Sequence, residues 1–248
     1  MTRGWIELDI GNSRVKWRVQ LANDAAESGY FSHEEFVQTA VSEFGRFEHL
    51  QGLRVSCVAD SLRPVVTVLG KALNLDVQFA QTTATCAGVT NSYQQPSTMG
   101  VDRWLAMLAA FNSSQHEREA DNVCVIDCGT SLTIDHIDGA GQHKGGLILP
   151  GRRLLLSSLQ QNTEKVLFNP TSQAGELVLG QNTEQAVLNG ALHMMVGAIY
   201  ESIESSASSP DSQYFLTGGD ADWLAAKLKL KTLLVPDLVL DGLQYSLP

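Results

Sequence analysis

Trp5-Ile6-Glu7-Leu8-Asp9 runs into Gly11-Asn12 and resumes as Val15-Lys16-Trp17-Arg18-Val19. Apolar and polar residues alternate on both sides of the turn dipeptide, which predicts a β-hairpin with polar residues gathered at its tip. Farther along, residues 122–127 form a strongly apolar run, broken at Gly129-Thr130 and followed by alternating Leu132-Thr133-Ile134-Asp135. Asp9-Ile10-Gly11-Asn12-Ser13 and Asp127-Cys128-Gly129-Thr130-Ser131 therefore repeat one design: strand, acidic tip, glycine turn, strand. A single acid–glycine turn is commonplace. One at the head of each half predicts two related lobes, each presenting a hairpin tip to a shared cleft.

Between and after these hairpins, strands alternate with helices. Ser32-His33-Glu34-Glu35 has the capping-box form and starts a helix expected to reach about Phe47. Strands are expected over 54–58 and 76–80, with a helix between them that has Pro64 in its first turn. Gly100-Val101-Asp102-Arg103 opens a helix whose Trp104, Leu105, Leu108 and Phe111 keep helical spacing. A short strand lies within 145–151, a long helix starts at Asn182-Thr183 and runs to about Ser205, and a strand over 213–217 meets Gly218-Gly219 before a helix over 221–229. The serine-rich stretch 205–212 reads as an exposed loop. The class is α/β. With 248 residues the chain suits two lobes, placed at 1–115 and 116–248.

Composition narrows the partners. Hydrophobic residues make up 44% and charged residues 18%, enough apolar material for a substantial core. The net charge of −10, with no basic cluster longer than two residues, argues against a nucleic-acid partner. An anionic substrate must then be met locally, by backbone N–H groups, a few placed cations and bound metal. The four cysteines contain no C-x-x-C pair, and Cys57 and Cys124 sit in apolar strand-like runs, as small buried hydrophobes do in a reducing compartment. The six histidines lack ligand spacing, so none is assigned to metal. Met1-Thr2-Arg3-Gly4 leads straight into a strand with no signal-peptide pattern, and the apolar stretches 104–111 and 186–200 are too short or interrupted to span a bilayer. A cytoplasmic protein without a membrane partner is expected.

The tips have the chemistry of phosphate loops. Glycine lets the backbone approach phosphate oxygens and turn its N–H groups inward, and short hydroxyl or amide side chains add donors. A carboxylate beside them would repel bare phosphate but can hold a cation or its hydration shell. Asp9 with Gly11, Asn12, Ser13 and nearby Lys16 fits this, and Asp127 with Gly129, Thr130 and Ser131 fits it again.

Taken in order, Asp9-Ile10-Gly11-Asn12-Ser13-Arg14-Val15-Lys16, Gly100-Val101-Asp102-Arg103, Asp127-Cys128-Gly129-Thr130 with Thr133 and Asp135, Gly145-Gly146-x-Ile148-x-Pro150-Gly151, and Thr217-Gly218-Gly219 resemble the successive motifs of type III pantothenate kinases. The resemblance covers residues 6 to about 242. It implies two RNase-H-like lobes of the actin/sugar-kinase type, with mixed sheets flanked by helices. It implies ATP-dependent phosphorylation of pantothenate to 4′-phosphopantothenate, Mg²⁺ with ATP, a potassium or ammonium ion, and a homodimer. Carried over by position, Asp9, Ile10, Gly11, Asn12, Ser13, Arg14, Val15 and Lys16 form the first phosphate loop and Thr130 contacts ATP phosphates. Asp127 ligates the monovalent cation, and Thr217, Gly218 and Gly219 face the adenosine. Tyr93, Gly100, Val101, Asp102, Arg103 and Thr183 bind pantothenate, with Asp102 as catalytic base. Ser13 and Ser131 stand where the family more often has threonine and alanine.

Several of these residues also have plain structural readings. An acid in a first helical turn is favoured by the helix dipole alone, so Asp102 has that second reading. Arg103 suits either an oxyanion or a salt bridge, Tyr93 suits a half-buried loop, Thr183 a helix N-cap, and Lys16 a position pointing off its strand. The same fold could also serve another small acceptor, or a non-catalytic regulatory member.

Overall fold

The computed structural model describes residues 4–21, 26–117, 122–169, 175–206 and 212–247. Met1 to Arg3 and most of the serine-rich stretch 205–212 lie outside the described residues. The chain divides into two compact units, one of residues 1–109 with 237–248 and one of residues 110–236.

In the first unit, β1 (Gly4–Ile10) and β2 (Val15–Gln20) form the expected hairpin, and β3 (Glu27–Phe31) extends it antiparallel. After α1 (His33–Phe44), β4 (Leu50–Cys57) pairs parallel with β1. Then α2 (Arg63–Leu73) returns the chain to β5 (Asp76–Phe79), parallel to β4. The strand order is β3-β2-β1-β4-β5. A small antiparallel pair, β6 (Thr85–Cys86) and β7 (Val89–Thr90), leads to α3 (Val101–Glu117), within which the division between the units falls.

The second unit repeats the plan. Strands β8 (Asn122–Cys128), β9 (Ser131–Asp138) and β10 (His143–Pro150) form an antiparallel meander followed by α4 (Arg152–Asn162) and α5 (Thr183–Ser205). Then β11 (Gln213–Thr217) pairs parallel with β8, α6 (Ala221–Ala225) follows, and β12 (Thr232–Leu234) pairs parallel with β11. The order β10-β9-β8-β11-β12 matches the first sheet strand for strand. The chain ends with α7 (Leu238–Ser246), which belongs to the first unit.

Alternation along β1 explains the layering. Ile6, Leu8 and Ile10 point to one face and join Val15, Trp17, Val19, Leu53, Val55 and Cys57 in a core closed by Phe36, Ala40 and Phe44 of α1 and Val66 and Leu69 of α2. The opposite face carries Glu7 and Asp9 of β1, Lys16 and Arg18 of β2, and Arg54 and Ser56 of β4. Against that face packs α7, whose Gly242 is an interior glycine with a local reason: a Cβ there would run into the backbone of Leu105 on α3. The second core is built likewise from Cys124, Ile126, Cys128, Leu132 and Ile134 against Leu192, Met195, Val196 and Ile199 of α5.

Local signals held where capping chemistry was strong. Ser32 and Glu35 make both halves of the capping box, and Asn182 accepts from Gln185 N–H at the start of α5. Gly45 closes α1 at Phe44, short of the expected Phe47. The helix expected over 221–229 stops at Ala225. Strands β3 and β12 and helices α4 and α7 were not expected.

Candidate active site

In the first unit, the tip of the β1–β2 hairpin is closed by Gly11 N–H donating to Arg14 C=O at 3.1 Å. His33, the first residue of α1, sits 2.9 Å through Nε2 from Gly11 C=O and donates to it. The peptide unit is planar and trans, so fixing that carbonyl turns the Asn12 N–H the opposite way, available to a ligand. Arg14 lies 4.4 Å over the Tyr30 ring. Lys16, opposite Asp9 in register, has its Nζ 2.6 Å from Asp237 Oδ1.

Asp9 Oδ1 is enclosed and has no hydrogen-bond partner, and neither has Oγ of Ser56, its register partner on β4. Burial pushes the Asp9 carboxyl up from its ordinary value near 3.8 to about 6; the charge of Asp102 adds to the effect, and the charges of Lys16 and Arg14 oppose it. Asp9 and Asp102 thus belong to one electrostatic site. Beside them, Arg18 Nε is 2.7 Å from Glu7 Oε2, and its NH1 is 2.6 Å from Asp241 Oδ1. Glu7 is 2% exposed, and desolvation raises its pKa despite the Arg18 charge. Through its contact with Asp241, Arg18 fastens α7 to the sheet.

The start of α3 brings the expected acceptor-side residues together. Asp102 Oδ1 accepts from the Arg103 N–H at 2.8 Å and folds back over Gly100, where a Cβ would stand 2.6 Å from that oxygen. Arg103 is buried, and its NH1 donates to Tyr93 Oη at 2.9 Å. Tyr93 is itself held by its N–H to Asn91 Oδ1 at 2.9 Å. Gly100, Val101, Asp102, Arg103 and Tyr93 therefore form one cluster within the first unit, whereas Thr183 opens α5 in the second. Asn182 takes the N-cap role, which leaves Thr183 as the first helical residue, exposed.

The second unit builds its own tip around Asp127, which is paired in register with Thr133 on β9 and Thr217 on β11. Its carboxylate needs two glycines. A Cβ at Gly129 would lie 3.2 Å from Asp127 Oδ1, and one at Gly218 would lie 2.5 Å from it, with Gly218 at φ +94°. Gly151 packs against the same turn: its N–H donates to Thr130 C=O at 3.0 Å, and a Cβ there would meet Gly129 C=O at 2.5 Å. Asp127, Gly129, Thr130, Gly151, Thr217, Gly218 and Gly219 are thus gathered at one end of the second sheet.

Sequence reading overlooked Ser56, His33, Asn91 and Asp237. Ser56 had a usable signal, a polar residue at the carboxyl end of a buried parallel strand, where ligands of open α/β sheets bind. His33 and Asp237 are defined by distant partners, whereas Asn91 acts locally on the Tyr93 N–H two residues on.

The donor set suits nucleotide-borne magnesium. Among the described residues no group of three or more His, Cys, Asp or Glu could hold a metal ion alone. Mg²⁺ ordinarily takes one or two carboxylates with substrate phosphates and water, and the unsatisfied Asp9 Oδ1 fits that demand.

Comparison with known proteins agrees with this geometry. Among solved structures the chain is similar to the ethanolamine utilization protein EutJ from Carboxydothermus hydrogenoformans, with a TM-score of 0.54 at 11% identity, covering 100% of this chain and 90% of that one. It is also similar to MreB5 of Spiroplasma citri bound to ADP, with a TM-score of 0.52 at 12% identity, covering 98% and 95%. These likenesses show the fold, α/β with two lobes of the actin/sugar-kinase type. Curated relatives are much nearer in sequence. The type III pantothenate kinase of Pseudomonas putida (strain W619) is 34% identical over 253 residues, covering 98% of both chains. That of Chromohalobacter salexigens is 32% identical over 252 residues, covering 98% of this chain and 87% of the relative. The family model for type III pantothenate kinase matches residues 5–205, and the chain belongs to that family.

Proposed function

We propose that the chain phosphorylates the primary alcohol of pantothenate with ATP, giving 4′-phosphopantothenate, the first step of coenzyme A synthesis. The observation that carries this reading is the pairing of Asp9 and Asp102 at one electrostatic site, beside the Arg103–Tyr93 hydrogen bond. Phosphoryl transfer to an alcohol requires an aligned nucleophile and charge neutralisation more than strong base chemistry.

Asp102 accepts the hydrogen bond of the pantothenate hydroxyl and takes its proton as the new O–P bond forms and the bond to the departing ADP oxygen breaks. Arg103, its guanidinium steadied by Tyr93, receives the pantothenate carboxylate, with Gly100 and Val101 beside it in the first unit. Residues 9–16 carry the phosphates on backbone N–H groups, and Thr130 adds a hydroxyl. Asp9 offers its unsatisfied oxygen to magnesium on the nucleotide. A magnesium ion held by Asp9 would supply charge neutralisation for the transferring group. Asp127 would hold a potassium or ammonium ion, and Gly218 and Gly219 face the adenosine.

A homodimer is supported by apolar side chains left in the open on the second unit: Ile148 of edge strand β10 is 63% exposed, and Leu147, Leu154 and Leu159 are exposed nearby in sequence on β10 and α4. A cytoplasmic setting is supported by four free cysteines. No helix of the described residues is long and apolar enough to cross a membrane.

The test is ADP release measured across pantothenate, sugars and short carboxylic acids. Pantothenate alone should support turnover, and Asp102→Asn should lower kcat by orders of magnitude while leaving the fold and ATP binding intact. Turnover with a sugar but not pantothenate refutes the acceptor, and wild-type kcat in Asp102→Asn refutes the base.

A further inference from the structure

Lys16, assigned above to the nucleotide phosphates, is already engaged: Asp237 holds its Nζ at 2.6 Å, with the lysine side chain 14% exposed. Asp237 is the N-cap residue of α7, a position where a carboxylate ordinarily accepts a backbone N–H of its own helix. It makes no such bond. Both of its oxygens turn to β2 instead, Oδ1 to Lys16 and Oδ2 to Arg18 at 3.7 Å.

Arg18 does not depend on that contact, because Glu7 at 2.7 Å and Asp241 at 2.6 Å are its close partners. Asp237 is therefore aimed at Lys16. The chain route adds a second observation. Within the second unit, Val235 N–H donates to Leu216 C=O at 2.9 Å, and Pro236 C=O accepts from Thr217 Oγ1 at 3.4 Å, at the foot of the turn assigned to adenosine. The next residue is Asp237, where the chain re-enters the first unit. Asp237 thus follows directly, in the chain, on the residue that accepts from Thr217.

We propose that Asp237 is a positioning residue for phosphoryl transfer: it keeps Lys16 extended at the first loop and releases it to the nucleotide's phosphates. The proposal rests on the kinase reading above. Asp237 is 34% exposed, so the pair is partly solvated, and a polyphosphate competes successfully for the ammonium group. The carboxylate screens Lys16 in the free protein and restrains where it can go. Without that charge the lysine binds ground-state nucleotide more tightly but meets the transferring group less well placed, which separates KM from kcat.

The test compares four variants in the full chain: Asp237→Asn, Asp241→Asn, Lys16→Met and the double variant. Asp237→Asn should lower Kd for a non-hydrolysable ATP analogue, and KM for ATP, three- to ten-fold. It should lower kcat by a similar factor, leave KM for pantothenate unchanged, and move Tm little. Asp241→Asn, which loses the contact with Arg18, should lower Tm and leave the analogue's Kd unchanged. In a Lys16→Met background, Asp237→Asn should add nothing. An unchanged analogue Kd in Asp237→Asn overturns the proposal, as does an equal effect with Lys16 removed. If wild type turns over pantothenate normally in that outcome, only the role of Asp237 falls; a wild type that transfers nothing from ATP removes the kinase reading and this proposal with it.

Discussion

Replacing Asp9 with asparagine should stabilise the protein at neutral pH while disabling it. The carboxyl is raised from about 3.8 to about 6 on folding, mainly by burial. For an acid whose folded value is raised, the folded state binds protons more readily than the unfolded chain, so stability falls as pH climbs through the window from about 4 to about 6. A difference of about 2 between the two values corresponds to roughly 3 kcal/mol of destabilisation once pH exceeds both. Asparagine keeps the shape without the charge, so Asp9→Asn should gain about 2–3 kcal/mol at pH 7.5 and only about 0.5 kcal/mol at pH 4, where native Asp9 is protonated. Urea unfolding of wild type and variant at the two pH values measures this directly, and comparing the two proteins cancels groups common to both. The same variant should lose at least an order of magnitude in kcat/KM, because a neutral amide replaces the carboxylate offered to the nucleotide's magnesium. A stability gain that is the same at both pH values, or a loss at pH 7.5, would refute the assignment of Asp9 as a buried, strained charge.

Gly218→Ala should cost the second unit about 3 kcal/mol, combining the left-handed backbone with a Cβ 2.5 Å from Asp127 Oδ1; an unaltered urea midpoint counts against that packing. Turnover should require potassium or ammonium, and equal rates in a sodium-only buffer would remove the role given to Asp127. Ile148→Glu should convert a dimer to a monomer in light scattering after gel filtration, through a charge placed on an edge strand; an intact dimer places the interface elsewhere.

What could be read from the sequence was what short-range chemistry specifies. The two acid–glycine hairpins, the capping box at Ser32 and the cap at Asn182 depend on residues within a few positions of one another, and each was found where expected. The Asp102–Arg103 cluster could be proposed from the motif, but its partner Tyr93 had no spacing signal. Helix α7 escaped notice because Gly242 reads locally as a breaker; its need is set by the Leu105 backbone, which no window of sequence contains. The ion pairs of Lys16 and Arg18 are further cases, with Asp241 lying 223 positions beyond Arg18. Such residues have meaning only after the strands are in register.

Because α7 belongs to the first unit but follows the whole of the second, the ribosome makes it only after the second unit. Until it emerges, the nascent first sheet must keep Glu7, Arg18 and Arg54 wet on its uncovered face, so phosphate-loop assembly waits until the second unit has been made. Shortening the chain before Asp237 should therefore yield a second half that folds and a first half that is held open to proteases.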